Sequence, residues 1–317
     1  MMERYTEKIR ERAKTLLEEG KVEAFIGYRK GSVPMMNRPV LIRRPEETRF
    51  LWWDSHCALN LCNYLTGRPE RIGVLATGCN SRNIVNHLVE NQLKREKVYI
   101  LGVPCTGMVN HRAVQRAVGG REILGVEENG DSLIVTGRDL REILKKQDTL
   151  QQNCRVCTHR NPVLFDELIG ELVPEQEGVD PYEDVAEVEG MSPEEKWEHF
   201  RELVAPCIRC YACRNACPLC YCPTCFVDES RPQWVGKGLD PTDTMTFHLL
   251  RAYHCAGRCT DCGACERVCP VGIEVRQFTK KLNKDAWKLF SWEAGLKADE
   301  RPPLDAYRPD DYNDFVR

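Results

Sequence analysis

The sequence has no run of eighteen or more apolar residues, and its longest apolar stretches are only as long as a strand. It therefore predicts no membrane-spanning helix. The formal net charge is only −3, so the composition indicates no electrostatic attraction to nucleic acid or to anionic lipid. The opening residues lack the charged-then-apolar pattern of an export signal, which favours a cytoplasmic protein.

Motifs for nucleotide binding are also missing. Neither GxGxxG nor GxxxxGK[ST] occurs, so no Rossmann fingerprint and no P-loop indicates a nucleotide site. The seven histidines are scattered without HxxxH-type pairing, and we assign none of them a catalytic role. No DNA-binding motif or basic stripe occurs, which disfavours a regulator that senses oxygen through a cluster.

Cysteine is in excess, with 18 residues. A secreted disulfide scaffold would be small and would carry an export signal, and this chain of 317 residues fits neither condition. In a reducing compartment, cysteines at short fixed spacings are more often metal ligands. The spacings of these cysteines therefore decide between the two classes of protein.

Two runs of the form Cys-x2-Cys-x2-Cys-x3-Cys-Pro begin at Cys207 and at Cys259. This is the pattern of bacterial two-cluster ferredoxins, in which the fourth cysteine of each run binds the other [4Fe–4S] cluster. The predicted ligands of cluster one are Cys207, Cys210, Cys213 and Cys269, and those of cluster two are Cys259, Cys262, Cys265 and Cys217. The alternative is a zinc ribbon, which requires neither a third cysteine at this spacing nor the following proline.

The second run lies in the segment RAYHCAGRCTDCGACERVCPVGIEVRQF. This segment resembles the dicluster module of the iron–sulfur subunits of heterodisulfide reductase and succinate dehydrogenase. The long spacer between the two runs also fits that helical module better than it fits a minimal bacterial ferredoxin.

A second group of cysteines lies in the same region, and its role stays open. It consists of Cys220, Cys222, Cys225 and Cys255. The string CPLCYCPTC is too rich in cysteine for ordinary packing, so a further cluster is one interpretation. A zinc ion in the same pocket is a variant of it. The other interpretation is that Cys255 is a buried, inert thiol.

Helical and strand patterns alternate in the N-terminal half, which predicts an α/β domain with a mostly parallel sheet. The predicted helices cover residues 3–19, 56–65, 81–94, 111–118 and 138–149, and the predicted strands include KVEAFIGYR, RPVLIRR, RIGVLA, KVYILGV and DSLIVTG. Residues 174–190 have the acidic, Pro- and Gly-containing composition of a linker.

The predicted domains are an α/β domain over 1–190, an α-helical ferredoxin-like dicluster domain over 191–290 and a tail over 291–317. Ser192, Pro193 and Glu195 predict the start of a helix with a capping box. The tail is rich in proline and aromatic residues, and it is either frayed or lies across a partner subunit.

Two cysteines of the N-terminal half follow predicted strands directly. Cys79 follows RIGVLA and Cys105 follows KVYILGV, at the edge of an open α/β sheet where ligands bind. Cys154 and Cys157 form a CxxC pair further along. Together these four thiols are enough for another [4Fe–4S] cluster, cluster three. Cys57 and Cys62 are interpreted as core thiols.

The segments ATGCNSRN, LGVPCTGM and CRVCTHRNPVLFDELIGE occur in this order. In order and spacing they resemble the beta subunit of hydrogenases that reduce the deazaflavin coenzyme F420, a family that includes beta subunits of certain formate dehydrogenases. The resemblance covers roughly residues 15–171. It implies an FAD-binding domain with a cluster beside the flavin.

The loop from Gly78 to Arg82 suits a flavin phosphate, because amides at a helix N-terminus favour an anion and Arg82 adds a charged donor. The predicted flavin contacts are Gly78, Asn80, Ser81, Arg82, Gly107 and Asn110. The alternative is that Asn80 or Ser81 caps the helix.

The sequence therefore favours an iron–sulfur flavoprotein subunit of a larger oxidoreductase complex. In this hypothesis FAD exchanges electrons with a carrier such as NAD(P)H or F420, and the clusters connect it to other redox subunits. The alternative function is a flavin-free electron-transfer subunit whose α/β domain is a docking scaffold.

Overall fold

The computed structural model of the chain describes residues 2–303 and 305. Its helices are α1 (Met2–Glu18), α2 (Gly78–Val89), α3 (His111–Ala117), α4 (Gln152–Arg155), α5 (Glu183–Gly190), α6 (Pro193–Val204), α7 (Ala212–Asn215), α8 (Pro241–His254), α9 (Ala264–Arg267) and α10 (Arg276–Phe290). Its strands are β1 (Ala24–Arg29), β2 (Arg38–Ile42), β3 (Ile72–Ala76), β4 (Val98–Gly102), β5 (Gly125–Asn129), β6 (Ser132–Thr136), β7 (Arg141–Lys145) and β8 (Glu167–Leu168).

The N-terminal half contains a five-stranded sheet with the order β2-β1-β3-β4-β8. The pairs β1–β3, β3–β4 and β4–β8 are parallel, and only the edge strand β2 runs antiparallel. The predicted α/β class with a mostly parallel sheet is confirmed. Every residue of β3 is buried, as expected for a central parallel strand covered on both faces.

The apolar core of this half joins the sheet to α1. Ile9, Ala13 and Leu16 recur at the spacing of one helix face and are completely buried. Burying a side chain of the size of leucine or isoleucine stabilises the fold by about 1.5–3 kcal/mol. This core holds the sheet rigid, and the sheet in turn fixes the loops at its carboxyl edge.

A second, three-stranded antiparallel sheet with the order β5-β6-β7 replaces the helix predicted over 138–149. That prediction is wrong. Leu140, Ile143 and Leu144 have the spacing of one helix face, but the segment pairs with β6 as a strand. Leu144 pairs with Leu133, which is completely buried. Cross-strand pairing therefore overrides the local pattern.

The helix predicted over 56–65 is also wrong, and only Leu61–Tyr64 forms a short 3₁₀ turn. The side chain of Asn60 accepts a hydrogen bond from the Cys62 amide at 3.0 Å, and Asn80 accepts one from the Leu61 amide at 2.7 Å. These side chains take amide hydrogens that a helix would need.

The segment predicted as a linker contains α5. Its Asp184 forms a buried ion pair with Arg276, and its Glu189 pairs with Lys284, so α5 packs against α10. The segment has no local sequence signal for a helix, and α5 is stabilised because distant cations pair with its carboxylates. The predicted boundary near residue 190 falls between α5 and α6, and the division into domains stays a prediction.

The C-terminal half is helical, and its two cysteine runs have matching backbones. Arg209 and Asp261, each two residues after the first cysteine of a run, lie in the left-handed region with φ of 49° and 58°. Tyr211 and Gly263 also have positive φ and are the N-cap residues of α7 and α9. Upstream, α6 begins with the predicted capping box.

The described part of the C-terminal tail contacts both halves of the chain. The Trp292 indole donates to the Gly257 carbonyl at 2.7 Å, and the Arg82 guanidinium donates to the Ala294 carbonyl. Residues 304 and 306–317 of the predicted tail lie outside the described residues. Among the residues that the structure describes, no helix is long and apolar enough to cross a membrane.

Candidate iron–sulfur and cofactor sites

The first group of thiols combines both cysteine runs. Cys207 and Cys213 lie near Cys269 of the second run. Burial, followed by the neighbouring thiols of Cys269 and Cys210, raises the pKa of Cys207. Cys213 and Cys269 are buried whereas Cys210 is exposed. The four predicted ligands of cluster one are thus brought together, with one of them at the surface; ligation itself stays a prediction.

The second group lies deeper. Burial raises the pKa of Cys259, Cys262 and Cys265, and the nearby sulfur of Cys217 raises each further. Cys217 comes from the first run, so the two runs exchange their fourth cysteines as in two-cluster ferredoxins. This arrangement fits the predicted cluster two.

The cysteines with an open role do not form one group. Cys220 and Cys255 lie beside Cys217, and their neighbouring thiols lower the pKa of Cys217 well below its ordinary value. Cys222 is exposed, and Cys225 packs against the small C-terminal core beside Arg214. The structure therefore brings together two of the four residues, around a predicted ligand of cluster two.

Within residues 2–303 and 305, no three His, Cys, Asp or Glu side chains converge on a point that would suit a single metal ion. The thiolates of a cubane bind separate irons and are spaced more widely than the ligands of one ion.

The third group lies at the carboxyl edge of the parallel sheet. Ala76 at the end of β3 pairs with Gly102 at the end of β4. Cys79 and Cys105 each lie three residues beyond these paired strand ends. Cys154 belongs to α4, and Cys157 lies just beyond it. All four cysteines line one cavity of about 500 Å³.

Burial dominates the electrostatics of this third group. It raises the pKa of Cys105 to about 12, with the neighbouring sulfur of Cys79 as the next cause. It also raises the pKa of Cys157 to about 11. The Met108 amide donates to the Cys154 sulfur at 3.3 Å, and the Gly107 amide donates to the Cys105 sulfur at 3.4 Å. Buried sulfurs that accept amide hydrogen bonds suit thiolate ligands, because the amides stabilise the ionised form.

Two glycines allow the loops of this group to approach each other. A β-carbon at Gly78 would lie 2.1 Å from the His159 carbonyl oxygen. Gly107 has a φ of 112°, and a β-carbon there would meet Leu150 at 3.0 Å. Both positions therefore require glycine for close approach of the backbone.

The residues predicted to contact flavin are engaged within the chain. Asn80 bonds to Leu61 and Thr77, and Ser81 bonds to Gly78 and Val163. Neither of them caps α2. Gly78, Asn80, Arg82 and Gly107 line the cavity, whereas Ser81 and Asn110 do not.

Arg82 and Asn110 have structural partners. The Arg82 guanidinium forms an ion pair with Glu293 at 2.9 Å besides its bonds to Ala294. The Asn110 side chain caps α3 by accepting from the amides of Arg112 and Ala113 at 3.0 and 3.4 Å. Burial raises the pKa of Cys79, and the Thr77 hydroxyl, Arg82 and the first amides of α2 offset part of that rise.

The C-terminal half contributes a second wall of the cavity, which the sequence analysis did not predict. Lys280, Lys284 and Trp287 of α10 line it together with Tyr182 and Trp292. The spacing of positions 280, 284 and 287 places these three side chains on one face of a helix, and this spacing can be recognised in the sequence. It does not show that this face meets the N-terminal cysteines, because the two lie more than 120 residues apart in sequence.

The third group lies beside the second. The sulfur of Cys79 raises the pKa of Cys262, after burial as the larger cause. The Asn83 side chain of α2 donates to the Thr260 hydroxyl at 2.6 Å, which fixes the cluster-two loop against the start of α2. Clusters three, two and one would therefore form a row from the cavity to the exposed Cys210.

The fold and the crossed cysteine runs define an iron–sulfur protein with a ferredoxin-like module. Residues 203–273 match the family model of the 4Fe-4S dicluster domain.

The chain is similar along nearly its whole length to two curated proteins. The F420-dependent formate dehydrogenase subunit beta of Methanocaldococcus jannaschii is 23% identical over 92% of each chain. The F420-dependent formate dehydrogenase 1 subunit beta of Methanococcus maripaludis is 24% identical over 92% of this chain and 90% of the relative. These matches confirm the predicted resemblance.

A solved structure of the F420-reducing [NiFe] hydrogenase complex from Methanosarcina barkeri aligns with 48% of this chain and 59% of its own. The sequence identity is 16% and the TM-score is 0.38, too low to establish a shared fold.

Proposed function

We propose that this chain is an iron–sulfur flavoprotein subunit of a cytoplasmic, multisubunit oxidoreductase of anaerobic metabolism. FAD would supply the conversion between hydride transfer and single-electron transfer, and the [4Fe–4S] clusters would connect it to partner subunits. The observation that carries the proposal is the cavity of about 500 Å³ that opens directly onto Cys79, Cys105, Cys154 and Cys157.

The lining of the cavity fits a flavin nucleotide. A volume of this size lies within the range of about 300–1,000 Å³ typical of ligand pockets. Tyr182, Trp287 and Trp292 offer aromatic faces. Lys280, Lys284 and Arg82 add cations to the lining, although each of them is paired with a carboxylate of the chain. Of the predicted flavin contacts, we retain the four residues that line the cavity.

The row of cysteine groups supports electron transfer. Cys79 is close enough to Cys262 to raise its pKa, and Cys217 connects the second group to the first run. A series of adjacent centres is useful only between separate redox partners. We therefore expect a partner subunit near the exposed Cys210.

The two-electron carrier that we favour is F420, since the two curated relatives are named F420-dependent. NAD(P)H is the alternative carrier. Their names also make a formate dehydrogenase complex the first assembly to test, ahead of a hydrogenase. We propose no contact with nucleic acid.

The first experiment is anaerobic purification followed by quantification of iron, sulfide, zinc and flavin in one sample. About one FAD and twelve irons per chain would support three cubanes and a flavin, and sixteen irons would add a cluster at the remaining cysteines. About eight irons without flavin, even after incubation with FAD, would leave the flavin-free electron-transfer subunit as the function.

A matched pair of tryptophan substitutions tests whether the cavity is the flavin site. Trp287 lines the cavity and is 53% exposed, whereas Trp197 of α6 is 54% exposed and does not line it. We expect Trp287→Ala to lower the retained flavin while Trp197→Ala leaves it unchanged. Equal flavin content in both variants and the unmodified chain would argue against this location.

A further inference from the structure

Helix α8 directs two buried basic side chains toward the cysteine groups of the dicluster domain. His248 and Arg251 are three residues apart and therefore lie on one face of the helix. They are only 3% and 5% exposed. Buried basic groups are rare unless they have a partner of opposite charge or a hydrogen-bond acceptor.

The partner of His248 is a cluster ligand. Its Nε2 lies 3.2 Å from the sulfur of Cys207, a predicted ligand of cluster one. A ligating thiolate has no hydrogen to donate, so the imidazole is the donor. The ring also packs edge-on against Phe247 with 4.9 Å between centroids, which holds the nitrogen toward the sulfur.

Arg251 lies between the two cysteine groups. One terminal nitrogen donates to the Cys213 carbonyl at 3.1 Å, whereas its Nε is buried without a partner. The sulfurs of Cys217 and Cys265 from cluster two surround it, together with Cys213 from cluster one. A cation in this position, with an unpaired donor, requires nearby negative charge. Two clusters with thiolate ligands would provide that charge.

We propose that His248 and Arg251 set the reduction potentials of the dicluster domain, His248 acting on cluster one and Arg251 on both clusters. A reduced cluster carries one more negative charge than an oxidised one. A hydrogen bond to its sulfur ligand and a nearby cation therefore stabilise the reduced form and raise the potential. Cluster one receives both effects, so it attracts electrons from the cavity side toward the exposed Cys210.

The inference rests on the proposed ligation of clusters one and two, and it does not depend on the flavin. The test is a redox titration of the full-length, iron-reconstituted chain, followed by electron paramagnetic resonance. We expect His248→Phe to lower the reduced-to-oxidised ratio of cluster one about tenfold at a fixed potential, which is about 59 mV for one electron. His248→Gln, which retains a donor, should recover part of the shift.

The second pair of variants addresses the charge of Arg251. Arg251→Met should lower the potentials of both clusters, and Arg251→Lys should restore most of each. His254→Gln is the control, since His254 lies on the same helix but packs edge-on against Phe226. We expect the control to leave both potentials unchanged.

Unchanged potentials in His248→Phe and Arg251→Met, with all irons retained, would overturn the proposal. If Arg251→Met loses iron, the two His248 variants still decide the role of the hydrogen bond, and Arg251→Lys decides whether charge alone is sufficient. Fewer than eight irons in the unmodified chain would overturn the ligation on which the inference rests. Missing flavin alone would refute only the flavin part of the proposed function.

Discussion

The two halves of the molecule assemble their cysteine groups in different ways. In the C-terminal half, six of the eight cysteines predicted to bind clusters one and two lie within two short segments of seven residues each. In the N-terminal half, Cys79, Cys105 and the CxxC pair come from three separate segments that the parallel sheet brings to one edge. Local spacing therefore encodes the first kind of site, and topology encodes the second.

The halves also differ in what stabilises them. Among the described residues, the larger apolar core of the N-terminal half contains 26 buried residues, whereas that of the dicluster region contains seven, two of which are Cys213 and Cys269. A small core of this kind needs a metal or disulfides to fold. We therefore expect the clusters to contribute most of the folding free energy of the C-terminal half.

The largest effect should follow removal of iron with an anaerobic chelator. Structural metal contributes about 10–16 kcal/mol in zinc-finger peptides, which is comparable to the whole stability of a domain, about 5–15 kcal/mol. We expect residues 193–290 to become sensitive to protease while the core of β1, β3 and β4 stays protected. Mass spectrometry of the fragments measures this difference. Equally fast cleavage of both halves would show that the sheet also depends on metal.

A second comparison substitutes one cysteine in each half. Cys105→Ser should remove about four irons, because it deletes a ligand of cluster three, and leave the dicluster signals intact. Cys269→Ser should remove about four different irons, those of cluster one. Iron analysis with electron paramagnetic resonance distinguishes the two losses. If Cys105→Ser retains all its iron, the N-terminal cysteines are buried thiols without a cluster.

The same contrast explains what could be predicted from the sequence. The crossed pairing of Cys217 and Cys269 follows from the spacing of the runs, and the positions of Cys79 and Cys105 follow from the strands before them. The segment 138–149 could not be assigned correctly, because Leu144 faces Leu133 across a strand pair rather than along a helix. Pairing with a strand distant along the chain determines the structure of that segment, and local periodicity carries no information about such pairing.

The lining of the cavity also depends on contacts that local patterns do not predict. The four cysteines that line it were predicted as site residues, whereas Lys280 and Lys284 on the opposite wall were not. Their placement depends on α10 packing against α5, and α5 itself is held by the pairing of Glu189 with Lys284 and of Asp184 with Arg276. Ion pairs between residues nearly one hundred positions apart cannot be predicted from short sequence motifs.

An intermediate effect should follow Arg267→Met, which weakens the attachment of the halves. The buried Arg267 guanidinium donates to the Val109 carbonyl at 2.9 Å and to the Met35 carbonyl at 2.8 Å. An unsatisfied buried acceptor costs about 1–3 kcal/mol, so we expect destabilisation of at least that size. Thermal unfolding followed by tryptophan fluorescence measures it. The surface variant Arg138→Met is the control, because its side chain is 81% exposed; equal melting of both variants would contradict the role of Arg267.

The smallest expected effect concerns Asn110, for which the sequence and the structure suggest different roles. The sequence places it among the flavin contacts, whereas its side chain caps α3 outside the cavity. Asn110→Ala should lower the free energy of unfolding by about 1 kcal/mol, as expected for loss of an N-cap. Asn110→Ser should retain most of the stability, and neither variant should lose flavin. If Asn110→Ala instead loses flavin at unchanged stability, the nucleotide reaches beyond the cavity, and the loop after Cys105 is a binding element as well as a support for cluster three.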